Sequence, residues 1–210
     1  MNLYEESYLR DAQDHLGEMF DYAILDAKED IDSFWKTFSR SSLAKELFYA
    51  NPKYLAGMSG QELYSALKYE TEGIYDAGTA MPRYDRSRYY WAGWSLAYYQ
   101  WKRMVSYEHM EVSGITLSNV VDMHILHEAD VSVFVDRIDG IIASSREAQM
   151  LKRLRLYAGM TQKELSDTST VTLRMIQLYE QGQNDISKAG SEVVNNLAHA
   201  IGCDIEDLII

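Results

Sequence analysis

Apolar residues along the first part of the chain recur at spacings of three, four and seven, the repeat of a helix face and not the alternation of a strand. Leu9, Leu16, Met19, Phe20, Ala23, Ile24 and Ala27 form one such stripe, and Ile31, Phe34, Trp35 and Phe38 form a shorter one. A third helix runs through Leu43, Leu47 and Phe48 and ends before Asn51-Pro52, because the residue preceding proline is driven out of the helical region. Ser59 and Glu62 have the spacing of a capping box for a helix carrying Leu63, Leu67 and Tyr69. The breakers between Gly73 and Pro82 predict an exposed loop.

From Tyr84 the chain is at its most aromatic, and Trp91, Trp94, Tyr98 and Trp101 stand at i, i+3, i+7 and i+10, on one face of one helix. Rings at that spacing read first as a core helix; a groove for a ligand or partner protein is the functional alternative. Ser118 opens a further helix through Val121, Ile125 and Leu126. Val131, Val133 and Val135 alternate like a strand, but Val131, Phe134, Val135 and Ile138 fit a helix, which is favoured with no partner strand nearby. The small, polar centre of residues 140–148 marks a boundary. The expected architecture is therefore all-α, with an N-terminal helical domain over 1–140, a linker over 141–145 and a C-terminal domain over 146–210.

Local signals in the last third are dense. Leu151, Leu154 and Tyr157 make an apolar face, Gly159 stops that helix, and Thr161 caps the next with Glu164 as its capping-box partner. Two short helices then meet across Ser169-Thr170-Val171, and so short a turn lets the second project its outer face outward. Asn195 to Ile201 forms a supporting helix, closed by Gly202 and followed by a last helix capped by Asp204.

Composition agrees with a helical fold: 210 residues contain 12 glycines and only 2 prolines, whereas sheet-rich folds need frequent turn residues. A 47% hydrophobic and 25% charged chain is ordinary globular usage and argues against wholesale disorder. No stretch approaches the ~18 apolar residues of a membrane span, and the acidic start lacks the apolar core of an export leader. With a lone Cys203 unable to form an internal disulfide, the expected location is the cytoplasm.

Charge is unevenly spread. Residues 141–210 hold seven Lys/Arg against nine Asp/Glu, a net of −2, which leaves −10 of the total −12 on residues 1–140. Such an acidic segment repels nucleic acid, so contact with protein suits it better. Its clusters, Glu5-Glu6 with Asp11 and Asp14, and Glu29-Asp30 with Asp32, read as solvated faces or as a surface for a basic partner. His124 and His127 stand at i and i+3 with Asp122 and Asp130 nearby, which is not the H-E-x-x-H arrangement of a zinc site. Phosphate-binding and nucleophile motifs are absent from the sequence, so no catalytic residue, metal or cofactor is expected and the chain does not read as an enzyme.

The segment from Leu151 to Ser187, and then Ser191 to Ile209, resembles the Xre-type helix-turn-helix, the DNA-binding fold of lambdoid phage repressors and Cro proteins. The likeness is carried by Gly159-Met160-Thr161-Gln162-Lys163-Glu164-Leu165, by Val171, Ile176 and Glu180-Gln181-Gly182, and by Leu197, Ala198, Ala200, Ile201, Gly202, Ile205 and Leu208. It implies a five-helix, lambda-repressor-like domain that binds a double-stranded operator as a homodimer. Gln162 would anchor a phosphate at a helix start, flanked by Thr161 and Lys163. Thr172, Leu173, Arg174, Gln177 and Leu178 would face base edges, with Arg174 suited to guanine O6 and N7. Arg155 and Glu180 occupy the positions of a structural ion pair. The chain departs from the family at Ser166, where relatives carry alanine, at Thr170, where they carry glycine, and at Ile186, where they carry proline. A β-branched residue at the turn implies strain, and the apolar Leu173 and Leu178 suit thymine methyls or weakened readout.

The upstream part resembles an uncharacterised helical domain that precedes such heads in a group of Gram-positive bacterial proteins, often beside toxin-like genes. Asn51-Pro52-Lys53-Tyr54, Ser59-Gly60 with Glu62-Leu63, Tyr90-Trp91-Ala92-Gly93-Trp94, Leu96-Ala97-Tyr98-Tyr99-Gln100-Trp101 and His127-Glu128-Ala129-Asp130 carry it. The resemblance implies an antitoxin-like autorepressor whose N-terminal domain binds a toxin encoded by a neighbouring gene. The alternatives are a transcription regulator that senses a small ligand through Trp91, Trp94, Tyr98 and Trp101, and an adaptor with a degenerate DNA-binding head.

Overall fold

The computed structural model describes residues 3–75, 78, 81 and 85–209, and its regular structure there is entirely helical. Its α-helices are α1 (Leu9–Leu25), α2 (Ile31–Ser39), α3 (Ser42–Phe48), α4 (Pro52–Leu55), α5 (Gly60–Glu72), α6 (Arg88–Arg103), α7 (Tyr107–Val112), α8 (Leu117–Asp122), α9 (Val131–Tyr157), α10 (Gln162–Ser169), α11 (Leu173–Glu180), α12 (Ser191–Ile201) and α13 (Ile205–Leu208). Short 3-10 turns span Glu6–Tyr8, Met123–Glu128 and Ile186–Lys188. Chain contacts divide the molecule into two compact units, 1–137 and 138–210. No described helix is long and apolar enough to cross a membrane.

The first unit is organised by the contact between α1 and α6, where backbone meets backbone. A Cβ placed on Gly93 would lie 2.5 Å from the Leu16 carbonyl oxygen, and one on Gly17 would lie 2.9 Å from both the ring and the carbonyl of Tyr90. Beside this contact Phe20 packs edge-on against Phe34 at 5.1 Å and Phe38 at 5.4 Å, and Phe38 meets Tyr107 at 5.0 Å. Buried Trp35 donates its Nε1 proton to the Ile115 carbonyl at 2.7 Å, leaving its indole without an orphaned donor.

Acidic residues of this unit close helix ends. Asp30 accepts from the Ser33 amide at 2.9 Å at the start of α2, and Asp32 accepts from the Ser118 amide at 3.0 Å and its hydroxyl at 2.7 Å. Glu70 reaches the Ser42 amide at 2.6 Å, and Asp14 accepts from the Tyr90 hydroxyl at 2.6 Å. Glu29 accepts from Tyr64 at 2.7 Å and Lys68 at 2.8 Å. Burial alone would raise its pKa, but the bonds from Lys68 and Tyr64 and the Lys68 charge together hold it below the ordinary value. The cluster Glu29-Asp30-Asp32 is thus engaged in holding the fold and is not a free solvated face.

Other local expectations are revised. Thr116, not Ser118, caps α8, accepting from the Asn119 amide, and Ile125 and Leu126 fall in the following 3-10 turn. Residues 141–145 are helical, inside α9, so they are not a linker; Ala143, Ser144 and Ser145 cost a helix little, and the division between the units falls at 137/138. Within the loop expected from Gly73 to Pro82, Gly73 closes α5 at φ 69° and Tyr75 and Met81 are exposed. Residues 76, 77, 79, 80 and 82, like Tyr84 at the head of the aromatic run, lie outside the described residues.

Two glycines make opposite predictions. Gly93→Ala forces α1 and α6 apart and should destabilise by about 1–3 kcal/mol, as overpacking does. Gly140→Ala meets no atom within 4 Å inside α9 and should stabilise by about 0.5–1 kcal/mol through helix propensity. Denaturant midpoints of the two variants check the signs.

Candidate nucleic-acid interface

The second unit is built on a core of Leu151, Leu165, Ile176, Leu197 and Leu208, each fully buried, with Val171, Tyr179, Ile186 and Val194 around them. Tyr157, expected on the same face as Leu151, is instead 93% exposed. Ile186, where the resembled family has proline, fills core space, and Asp185 caps its turn through the Ser187 amide at 3.0 Å.

Helix α10 opens with a capping box: the Thr161 hydroxyl accepts from the Glu164 amide at 3.1 Å, and the Glu164 carboxylate accepts from the Thr161 amide at 2.7 Å. Hydrogen bonding to the carboxylate from the Thr161 backbone first, and from its side chain second, holds the Glu164 carboxyl below its ordinary pKa. Its folded value being the lower one, the cap stabilises the fold above the unfolded carboxyl pKa and is lost as pH falls through the folded value.

Helix α10 ends at Ser169 and α11 begins at Leu173, so the connection is Thr170-Val171-Thr172. Thr170 takes the left-handed conformation, φ 59° and ψ 5°, a strained place for a β-branched residue. Side chains hold it there. Ser166 Oγ donates to the Val171 carbonyl at 2.7 Å, Ser169 Oγ accepts from the Val171 amide at 3.3 Å, and Asn196 Nδ2 on α12 donates to Thr170 Oγ1 at 3.2 Å. Thr172 then caps α11 by accepting from the Met175 amide at 3.3 Å.

Beneath the two helices lies a charged network. Arg155 Nε donates to Glu180 Oε1 at 2.6 Å, its Nη2 to Oε2 at 2.9 Å and its Nη1 to the Met160 carbonyl at 2.7 Å. The side chains are only 7% and 3% exposed, and the bonds to Glu180 hold the guanidinium firmly charged. Gln162 Nε2 donates to Glu180 Oε2 at 2.7 Å. The Gln162 amide is therefore turned into the network, a correction to its expected outward reach; outward, the start of α10 offers the backbone N–H groups of Gln162 and Lys163.

The outer side of α11 carries the exposed Thr172, Leu173 and Arg174 and the half-buried Gln177 and Leu178, with exposed Thr161 and Lys163 at the start of α10. Among the described residues no hydrogen bond or ion pair engages the side chains of Arg174 and Lys163.

The aromatic set lies in the first unit, and it is not the buried side of α6. That side is Ala92, Gly93, Leu96, Ala97 and Gln100; Trp91, Trp94 and Tyr98 are half-buried on a flank, and only Trp101 is buried, donating its Nε1 proton to the Tyr4 carbonyl at 2.8 Å. The flank borders a cleft that also takes in Arg86, Ser95, His124 and Phe134. Of these, sequence reading noted His124 and Phe134 for other reasons and singled out neither Arg86 nor Ser95, although Ser95 follows Trp91 by one turn on the same side of the helix. Among the described residues no group of three or more His, Cys, Asp or Glu is placed to hold a metal ion.

No family model matches the chain, and neither the curated proteins nor the solved structures compared with it give a match.

Glu180→Ala leaves the Arg155 charge buried and unpaired, and chemical denaturation should register a loss of about 3–5 kcal/mol. Thr170→Gly relieves the left-handed strain while losing the Asn196 bond, and should raise stability by up to about 1 kcal/mol. A destabilising Thr170→Gly would mean that the turn is unstrained as it stands.

Proposed function

We propose that the chain is a sequence-specific DNA-binding transcriptional regulator, an antitoxin-like autorepressor in which residues 138–210 engage the operator and the acidic N-terminal part binds a protein partner. The observation that carries this reading is the pair α10 and α11: two short helices, joined by three residues, fixed from below by the Arg155 network, with unengaged Arg174 and Lys163 on the outer side. In this reading α11 enters the major groove, the free amides of Gln162 and Lys163 receive a phosphate, and Arg174 reads a guanine. Leu173 and Leu178 supply apolar contact for thymine methyls. Two copies on a pseudo-palindrome place their α11 helices about 34 Å apart, one turn of duplex.

The charge division supports a separate duty for the first part, since the net −10 of residues 1–140 adds repulsion toward DNA and attraction toward a basic protein. The aromatic flank of α6 favours the second reading, a regulator governed by a small molecule, which shares the same DNA-binding end.

In vitro selection of a duplex by the full chain, followed by binding measurements, tests the proposal. Arg174→Ala should weaken the selected duplex by about 1–3 kcal/mol and relax preference at one base pair; equal loss on random duplex would remove it as a reader. Affinity for the duplex should fall as salt rises, with a slope set by the phosphates contacted, and a flat response would overturn the phosphate role of the α10 amides. Co-expression with the product of the adjacent gene should give a complex retained by residues 1–137 and lost without them. Capture by residues 138–210 alone would transfer the partner site to the other unit.

A further inference from the structure

The cleft on the flank of α6 encloses about 510 Å³, within the range of about 300–1,000 Å³ found for small-molecule sites. Trp91 stands edge-on to Phe134 at 5.4 Å and to His124 at 5.7 Å, and Trp94 stacks parallel to Tyr98 at 6.5 Å. His124 and His127 are themselves stacked, 4.5 Å apart and 3° from parallel. Flat surfaces of this kind, left half-covered, accept another flat ring by stacking or edge contact.

Two polar features give the site a direction. Ser95 is fully buried among these rings, and its hydroxyl has no hydrogen-bond partner; a buried hydroxyl left unpaired is costly and uncommon. At the rim the Arg86 guanidinium lies over the Tyr90 ring at 4.5 Å and reaches Asp14 only at 3.5 Å, so it keeps donors free. The Asp130 carboxylate is already committed to the Ser132 amide at 2.8 Å. His124 is held below its ordinary pKa by burial first, then by the charges of His127 and Arg88.

We propose that the cleft bounded by Trp91, Trp94, Phe134 and His124 binds a small planar aromatic acid. Its ring lies against the two indoles, its carboxylate faces Arg86, and a ring substituent or edge reaches toward the Ser95 hydroxyl. The site lies wholly within residues 1–137 and does not depend on the DNA-binding reading.

The full chain titrated with 2-naphthoate, and separately with the uncharged 2-naphthamide, tests this by calorimetry and tryptophan fluorescence. A single saturable site is expected, with the acid bound at least about fivefold more tightly than the amide. Trp91→Leu should weaken the acid about tenfold or more, roughly one lost contact of stacking strength. Ser95→Ala should weaken it severalfold yet leave the melting temperature equal or higher, because the hydroxyl has no partner in the fold to lose. Arg86→Gln should bring acid and amide to equal affinity. No saturable binding, an unchanged affinity in both Trp91→Leu and Ser95→Ala, or an amide that binds as tightly as the acid would each overturn the proposal. A Ser95→Ala variant that loses both binding and stability would assign that hydroxyl to the fold and overturn its part in the site.

Discussion

Arg155 and Glu180 are withdrawn from water, and that withdrawal sets the terms for everything around α10 and α11. Desolvating an ion costs several kcal/mol even after the protein relaxes, and mutual attraction offsets it only when the geometry is good and the remaining donors and acceptors are matched. Here the matching extends well beyond the pair. Two parallel bonds join guanidinium to carboxylate, a third guanidinium donor takes the Met160 carbonyl, and Gln162 gives a further donor to Glu180. These bonds link the end of α9, the start of α10 and the end of α11. A network of this kind tolerates no small slippage, since any displacement leaves a buried charge incompletely paired. The outer side of α11 is thereby held by groups that never reach it.

The first unit meets the same demand with hydrogen bonds to helix ends. A helix leaves four N–H groups unsatisfied at its start, and a unit of many short helices has many starts. Asp30, Asp32, Glu62 and Glu70 serve them. The net −9 of residues 1–137 is consequently not all free surface charge; a share of it is fixed in position by the fold.

How much of this is legible in the sequence depends on how local the cause is. The boxes Ser59-x-x-Glu62 and Thr161-x-x-Glu164 form as spaced, because their partners sit three residues apart and need no tertiary information. Helix stripes are legible for the same reason. The continuity of α9 through 140–148 is not, since glycine, alanine and serine describe a linker and a helix equally well until packing decides. The aromatic spacing of α6 places four rings together but cannot say which side meets α1. That is settled by Gly93, whose missing side chain lets the Leu16 backbone approach. Gln162 shows the limit most clearly: its position at a helix start is local, but its direction is set by Glu180, eighteen residues on.

At the turn between α10 and α11, backbone strain and side-chain hydrogen bonds are set against each other. A left-handed threonine costs about 1–2 kcal/mol relative to glycine, and a single hydrogen bond contributes about 0.5–1.5 kcal/mol net. One bond would barely offset the strain, but the turn is held by three, from Ser166, Ser169 and Asn196. Ser166 supplies the shortest of these, and the Thr170 hydroxyl itself accepts the bond from α12. A glycine at this position would remove the strain and the tie to α12 at once. The sequence thus exchanges a relaxed turn for one pinned at both ends, and the angle at which α11 leaves α10 becomes a property of side chains rather than of backbone freedom.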